Sequence, residues 1–466
     1  MAAALRTPGA LVTVDLRCGD TRTLIDDVAD GSISLVATSP PFLNLRAYLP
    51  AEHEAKQHEI GSEHSPAAFL DTLLQLTARW GDKLADWGSI AIELGDTYAG
   101  SGGGGGDYLP GGLRDGQQQF AGSASSMRES NAAHWRQNNR ASARRDRAEL
   151  PANNIGGPGW PAAKSLALLP QLYAVALAYG IHPLTGEPSP AGRWLVRNVI
   201  TWHRNNPPVG RLADKYRPST SYITVATRTP DRWFDLTAVR STESEDKRQL
   251  RIVGEKTVTL QGGELGERAR YAQGTTGGSP PHTGWFDEHD SLIELGGFDA
   301  DSHLTWTINT QPSRLQHYAM WPARLAERLI LSMCPSEVCT QCGQPRRRIE
   351  ENSAAYQANQ DAALGRKLPP VNGRSNLVTG KRMNAEKVTQ GWTSCDCAAG
   401  FRPGIVLDPF SGASTTPAVA DLHGRDAIGL ELNQASLDLY ERRRAECARA
   451  LFDSPIPDDN QGVLQL

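Results

Sequence analysis

Two apolar runs near opposite ends of the chain each break into a turn suited to chemistry, and they constrain the fold more than any other feature. Ile33 to Ala37 leads into Thr38-Ser39-Pro40-Pro41-Phe42, and Ile405 to Leu407 leads into Asp408-Pro409-Phe410-Ser411-Gly412-Ala413-Ser414-Thr415-Thr416. The first turn can present an aromatic ring and inward-facing oxygens to a planar base. The second reads as a strand-to-helix turn. Gly412 lets the backbone approach a ligand closely, and the amides opening the following helix attract a carboxylate. Glu431 follows at the end of the next apolar run, where an acid can accept both hydroxyls of a ribose.

Between and around these turns, short apolar runs alternate with helical spacing. Strands are expected at residues 11–16, 32–37, 89–94, 194–202, 221–227, 404–407 and 427–432. Helices are expected at 66–87 (with Ser65 as its cap), 162–179, 322–333 and 434–451. Pro322 would occupy the first position of its helix. This alternation predicts an α/β fold with a doubly wound, mostly parallel sheet covered on both faces. Ligands of such sheets sit at the carboxyl ends of strands. Ser39, Asp96, Asp408 and Glu431 all fall there, which fits one shared crevice. Residues 100–160 carry a five-glycine run and scattered Arg, Asn and Ser, and read as an insertion outside any core. Residues 240–303 are polar, Gly-rich and irregular.

Taken in chain order, the two turns resemble the catalytic and cofactor motifs of beta-class amino-methylating DNA methyltransferases, in which the catalytic motif comes first. The resemblance extends through Trp194 to His203, Asn205-Asn206-Pro207, Asp214 to Ser221 and Arg232-Trp233-Phe234-Asp235, and covers roughly residues 12–98, 160–240 and 304–445. It implies a Rossmann-like core that transfers a methyl group from S-adenosylmethionine to an exocyclic amino group of a flipped base in double-stranded DNA. Ser39, Pro40, Pro41 and Phe42 would be catalytic. Thr38, Asp408, Phe410, Gly412, Ser414, Thr415 and Glu431 would frame the cofactor. His317 and Pro322 would pack on its methionine end, and Asp20 would lie near its adenine. Where the family pattern has a second glycine, this chain has Ser414. Serine in the first catalytic position leans towards cytosine N4, with adenine N6 the alternative. Residues 240–303 fall where this motif order places target recognition. The resemblance also leaves room for a homodimer and for a cognate restriction endonuclease.

Read without that resemblance, Gly19-Asp20 is an ordinary turn and Ser39-Pro40-Pro41-Phe42 a Pro-Pro turn ending a strand. Two further readings compete. One is a methyltransferase acting on RNA or on protein glutamine, whose motifs usually run in the opposite order. The other is a zinc-stabilised DNA-binding protein with an inactive core, for which Ser414 is the best argument.

Cys339-x-x-Cys342 and Cys395-x-Cys397 bracket a 52-residue stretch. Four thiolates on two tight turns suit tetrahedral zinc, and Arg346, Arg347 and Arg348 beside them could meet a nucleic-acid backbone. Cys334, outside the pairs, is expected in the core. Net charge is −4, with 48 basic against 52 acidic residues, so any nucleic-acid contact must be local. Arg114 to Arg147 holds seven arginines against three acids, and 343–394 nine basic residues against four. Both stretches read equally as solvated loops. No apolar run approaches membrane-spanning length and the start shows no export pattern, so a cytoplasmic protein with no membrane partner is expected. The expected organisation is a core of residues 1–99, 161–239, 304–335 and 404–466. It is interrupted by the Gly/Arg-rich insertion 100–160, the target-recognition region 240–303 and a zinc-binding insertion 336–403.

Overall fold

The computed structural model describes residues 12–44, 49, 53–99, 159–206, 216, 218–239, 305–311, 313, 320–354 and 387–453. His317, the Asp214-Lys215 segment, most of the Gly/Arg-rich insertion and the region proposed for target recognition lie outside these residues. The chain forms two compact units. One comprises Met1–Phe234, Leu304–Arg346 and Cys395–Leu466, the other Asp235–His303 and Arg347–Ser394.

The first unit is built on β1 (Val14–Cys18), β2 (Ile33–Thr38), β3 (Leu84–Leu94), β4 (Leu195–His203), β5 (Thr220–Thr227) and β6 (Thr305–Thr307). Its later strands are β7 (Val338–Cys339), with β10 (Phe401–Arg402), β11 (Ile405–Asp408) and β12 (Asp426–Glu431). In the second unit, β8 (Arg348–Asn352) pairs antiparallel with β9 (Lys387–Trp392). There Arg348 forms a paired contact with Asp235 and lies over the Trp392 ring.

Eight strands form one sheet in the order β1-β12-β11-β2-β3-β5-β4-β6. The first five are mutually parallel, β5 is antiparallel to both its neighbours, and β6 runs parallel to β4. The mostly parallel, helix-covered sheet is therefore as the alternating pattern predicts. From β11 the chain moves outward to β12, and from β2 it moves the opposite way to β3. The boundary between β11 and β2 is thus the point where strand order reverses, the position at which open α/β sheets leave a crevice. Register places Val406 beside Leu35 and Leu407 beside Val36, so Asp408 and Thr38 end their strands together.

Alternation along the strands splits the core in two. Val36, Ile90, Ile92 and Leu407 pack under the helices Pro66–Lys83 and Leu169–Tyr179. Leu35, Ala37, Ala91 and Val406 face the opposite way, under Ala323–Met333, Thr415–Leu422 and Tyr440–Ala448. The helix Pro66–Lys83 turns Phe69, Leu70, Leu73, Leu74 and Trp80 inward, and each such side chain contributes roughly 1.5–3 kcal/mol on burial. No helix among the described residues is long and apolar enough to cross a membrane.

Several boundaries differ from expectation. The first long helix stops at Lys83, because Leu84 turns extended and its N–H closes back on Trp80 O. Leu84 and Trp87 continue the helical spacing in sequence, but β3 takes both. The next helix begins at Leu169, after a left-handed Leu168 (φ 59°). Pro322 caps its helix rather than filling the first position. The last helix breaks into Gln434–Leu437 and Tyr440–Ala448 where Leu439 N–H bonds Ser436 O three residues back.

Candidate active site and thiol cluster

At the carboxyl ends of β2 and β11, the buried Thr38 Oγ1 donates to Asp408 Oδ1 at 2.6 Å. The same carboxylate oxygen accepts the Phe410 N–H at 3.1 Å, which bends the chain out of β11. Burial pushes the Asp408 carboxyl up to about 6, against the pull of its hydrogen bonds. Phe410 meets the Trp80 ring edge-on at 6.2 Å, fastening this turn to the core.

The turn itself runs through two left-handed residues, Gly412 (φ 53°) and Ser414 (φ 64°). That conformation explains why a glycine would suit position 414. Ser414 is fully buried, and its hydroxyl accepts from Ser411 Oγ at 3.1 Å, so the turn forms despite the side chain. Glu431, at the end of β12, accepts Gly412 N–H on one oxygen (2.8 Å) and Asn433 N–H on the other (3.0 Å). Desolvation raises its carboxyl, opposed by these backbone bonds. The Leu432 N–H also bears on this carboxylate, and its remaining acceptor capacity is of the kind a ribose hydroxyl needs.

Thr415 opens the helix Thr415–Leu422 and accepts Arg443 Nε at 2.9 Å. Arg443 is 1% exposed. It also donates to Trp321 O (3.0 Å) and Glu446 (3.1 Å), tying the helix Thr415–Leu422 to the residue before Pro322. Asp20 caps the turn after β1. Its carboxylate accepts both Arg22 N–H and Arg22 Nε, with His58 Nδ1 at 3.1 Å. Gly19 N–H bonds Glu431 O at 2.8 Å, so the Asp20 turn adjoins the end of β12.

Next to Thr38, Ser39 Oγ donates to Glu93 Oε2 at 2.5 Å. Glu93 stands near the end of β3 and is 2% exposed. Burial raises its carboxyl, opposed by the Ser221 and Ser39 hydroxyls and by the Arg204 charge. Arg204 lies over the Trp202 ring and donates to Ser221 Oγ, and its Nε is buried with no partner among the described residues. Pro40 and Pro41 carry the chain to Phe42, whose half-buried ring lies against Gly95. A Cβ on Gly95 would come within 2.5 Å of that ring, so only glycine leaves it room. Asp96 follows the end of β3. Its carboxylate accepts the N–H groups of Thr97, Leu168 and Leu169 and organises the entry to the helix Leu169–Tyr179.

Sequence reasoning missed Glu93, Arg204 and Arg443. Glu93 had a signal: an acid inside the apolar run Ile90-Ala91-Ile92-Glu93-Leu94, near a strand's carboxyl end.

The sulfurs of Cys339, Cys342, Cys395 and Cys397 all lie within 4.8 Å of one another. Zinc–thiolate bonds of about 2.3 Å set sulfurs roughly 3.8 Å apart in a tetrahedron, so the four fit one metal ion. Backbone N–H groups of Cys342 and Gln341 bring the Cys339 thiol down to about 6. Cys334 is buried in the core, as expected, and desolvation raises it to about 12. The arginines beside the cluster have structural partners. Arg346 pairs with Glu337 and stacks on Phe401, while Arg348 holds Asp235.

No protein-family model and no curated protein matches the chain. Among solved structures it is similar to the PvuII DNA methyltransferase, which is cytosine-N4-specific. That match has 13% identity and a TM-score of 0.40, covering 95% of this chain and 93% of the other. It is also similar to TTHA0409 of Thermus thermophilus, assigned as a DNA modification methylase and solved with S-adenosyl-L-methionine. There the identity is 15% and the TM-score 0.37, covering 95% of this chain and 96% of the other. A third likeness is to M1.HpyAVI in its SAM complex, at 11% identity and a TM-score of 0.35, covering 92% of this chain and 99% of the other. Identities this low transfer no residue's role.

Proposed function

We propose that the chain is an S-adenosylmethionine-dependent DNA methyltransferase acting on a base amino group, with cytosine N4 favoured over adenine N6. The observation that carries the reading is the pair of hydrogen bonds at the reversal of strand order. Thr38 bonds Asp408 on the cofactor side, and the adjacent Ser39 bonds buried Glu93 on the substrate side. When bound, S-adenosylmethionine supplies a methyl group activated on a sulfonium. Glu431 would receive the ribose hydroxyls on its remaining acceptor positions, and the amides opening Thr415–Leu422 would receive the carboxylate. Asp20 would lie towards the adenine, and Pro322 towards the methionine.

A base amino nitrogen is a poor nucleophile while its lone pair is delocalised into the ring. Phe42 would stack on a base withdrawn from the duplex. Ser39 Oγ and the Pro40 carbonyl would accept the amino protons and favour pyramidal nitrogen. Because Ser39 gives its own hydrogen to Glu93, its oxygen faces the amine as an acceptor. A nitrogen that gains a methyl group must lose a proton. Ser39 Oγ accepts that proton as Glu93 Oε2 accepts the serine's, and burial of Glu93 suits it to hold one. No nucleophilic cysteine is needed.

Cofactor binding by calorimetry and label transfer to duplex DNA test the reading in parallel. Ser39→Ala and Glu93→Gln should bind cofactor as the parent does, yet methylate roughly 10²–10⁴-fold more slowly. Undiminished transfer in both variants would sink the roles given to Ser39 and Glu93, and no transfer to DNA by the parent would sink the assignment. Cofactor binding without transfer by the parent protein would favour the inactive DNA-binding alternative.

A further inference from the structure

We propose that the four thiolates hold one zinc ion, and that this ion braces the catalytic sheet through Trp87 and Trp233. The thiol cluster is not an appendage in its contacts. Trp87, within β3, donates its indole N–H at 3.0 Å to the carbonyl of Gly343, the residue after Cys342. Trp233, beyond β5, donates its indole N–H to Arg346 O at 2.8 Å, and its backbone N–H to Trp87 O at 2.9 Å. Trp87, Trp233 and Val338 form their own buried apolar cluster. Strand β3 and the segment that follows its neighbour β5 are therefore both bonded to the stretch just after the first thiol pair.

The second pair belongs to the same body. β7, which contains Cys339, pairs with β10, and Thr340 N–H bonds Gly400 O at 3.0 Å. Arg346 closes the turn by pairing with Glu337 and covering Phe401. A tetrahedral set of four soft thiolates selects zinc over hard oxygen-seeking cations. The ion would close a loop of 52 residues between Cys342 and Cys395, restricting the unfolded chain as well as fixing the folded turn. Without it, no bond joins the four free sulfurs, and the turn that Trp87 and Trp233 grip would loosen. The ion would do this whatever reaction the site performs.

Elemental analysis of the purified full chain should find one zinc per molecule, and Cys342→Ser and Cys397→Ser should lose it. Stripping the ion from the folded protein with a chelator should lower the melting temperature and shift tryptophan emission to the red, with both restored by added zinc. As a variant that keeps all four thiols, Trp87→Phe removes the indole donor along with part of the ring and should weaken zinc retention roughly three- to tenfold. A chain that takes up no zinc even on reconstitution would overturn the proposal. So would stripping that leaves melting and emission unchanged, or a Trp87→Phe variant that holds zinc as tightly as the parent. Iron in place of zinc would refute the metal's identity.

Discussion

Ser414 holds a left-handed backbone that costs a residue with a side chain about 1–3 kcal/mol, partly offset by its bond to Ser411. Ser414→Gly should therefore raise the melting temperature by roughly one to three degrees without weakening cofactor binding. A lower melting point would mean that the serine pair outweighs the strain. Asp408 makes a pH-dependent contribution. Its folded carboxyl stands at about 6 against an ordinary 3.8. Its protonated form is thus favoured by folding, so the stability it adds is complete below about pH 4 and lost as pH rises through 6. The loss is about 3 kcal/mol. Asp408→Asn should remove this slope, which unfolding curves at pH 4, 5, 6 and 7 would reveal by difference from the parent. Glu93 gives a kinetic counterpart. As a proton acceptor with a raised pKa, it should make methylation fall as pH drops through that raised value. The acidic limb should be absent from the residual rate of Glu93→Gln.

At the scale of elements, the site depends on where strands end relative to one another. Thr38 and Asp408 meet because β2 and β11 are neighbours in matched register, although they come from opposite ends of the chain. Arg443 plays the corresponding part for helices, joining Thr415 to the Trp321 carbonyl. Arg443→Gln should weaken cofactor binding about tenfold while leaving the affinity for DNA unchanged, as titration of each ligand separately would measure. Much of this was legible in the sequence. The apolar runs and their turns marked β2, β11 and β12, and the spacing of Cys339, Cys342, Cys395 and Cys397 marked the thiol cluster. What could not be read depended on tertiary competition. Leu84 and Trp87 fit a helix as well as a strand, and only burial in the sheet decides between them. Glu93 and Arg443 look like isolated charges until the fold supplies Ser39 and Thr415 as partners. Asp96 likewise looks like an isolated acid at a strand end until the fold supplies the backbone of Leu168 and Leu169 as its partners.

For the whole molecule, the described core pairs across residues 100–158, which the sequence reads as an insertion. Ala99 and Thr97 exchange backbone bonds with Lys164, Ser165 and Ala167, so the chain is stitched together on both sides of residues 100–158. Replacing 101–157 with a short Gly-Ser linker should leave the melting temperature within about two degrees of the parent. A collapse in stability would assign those residues to the core. The account's central claim is methyl transfer to a base amino group, and its most direct test is to identify the product. Purified protein, unmethylated duplex DNA and labelled S-adenosylmethionine would be incubated, and the DNA digested to nucleosides for mass spectrometry. The account predicts labelled N4-methylcytosine; N6-methyladenine would keep the mechanism and refute the inference from serine. A protein that binds the cofactor but leaves every nucleoside of diverse duplexes unlabelled would contradict it.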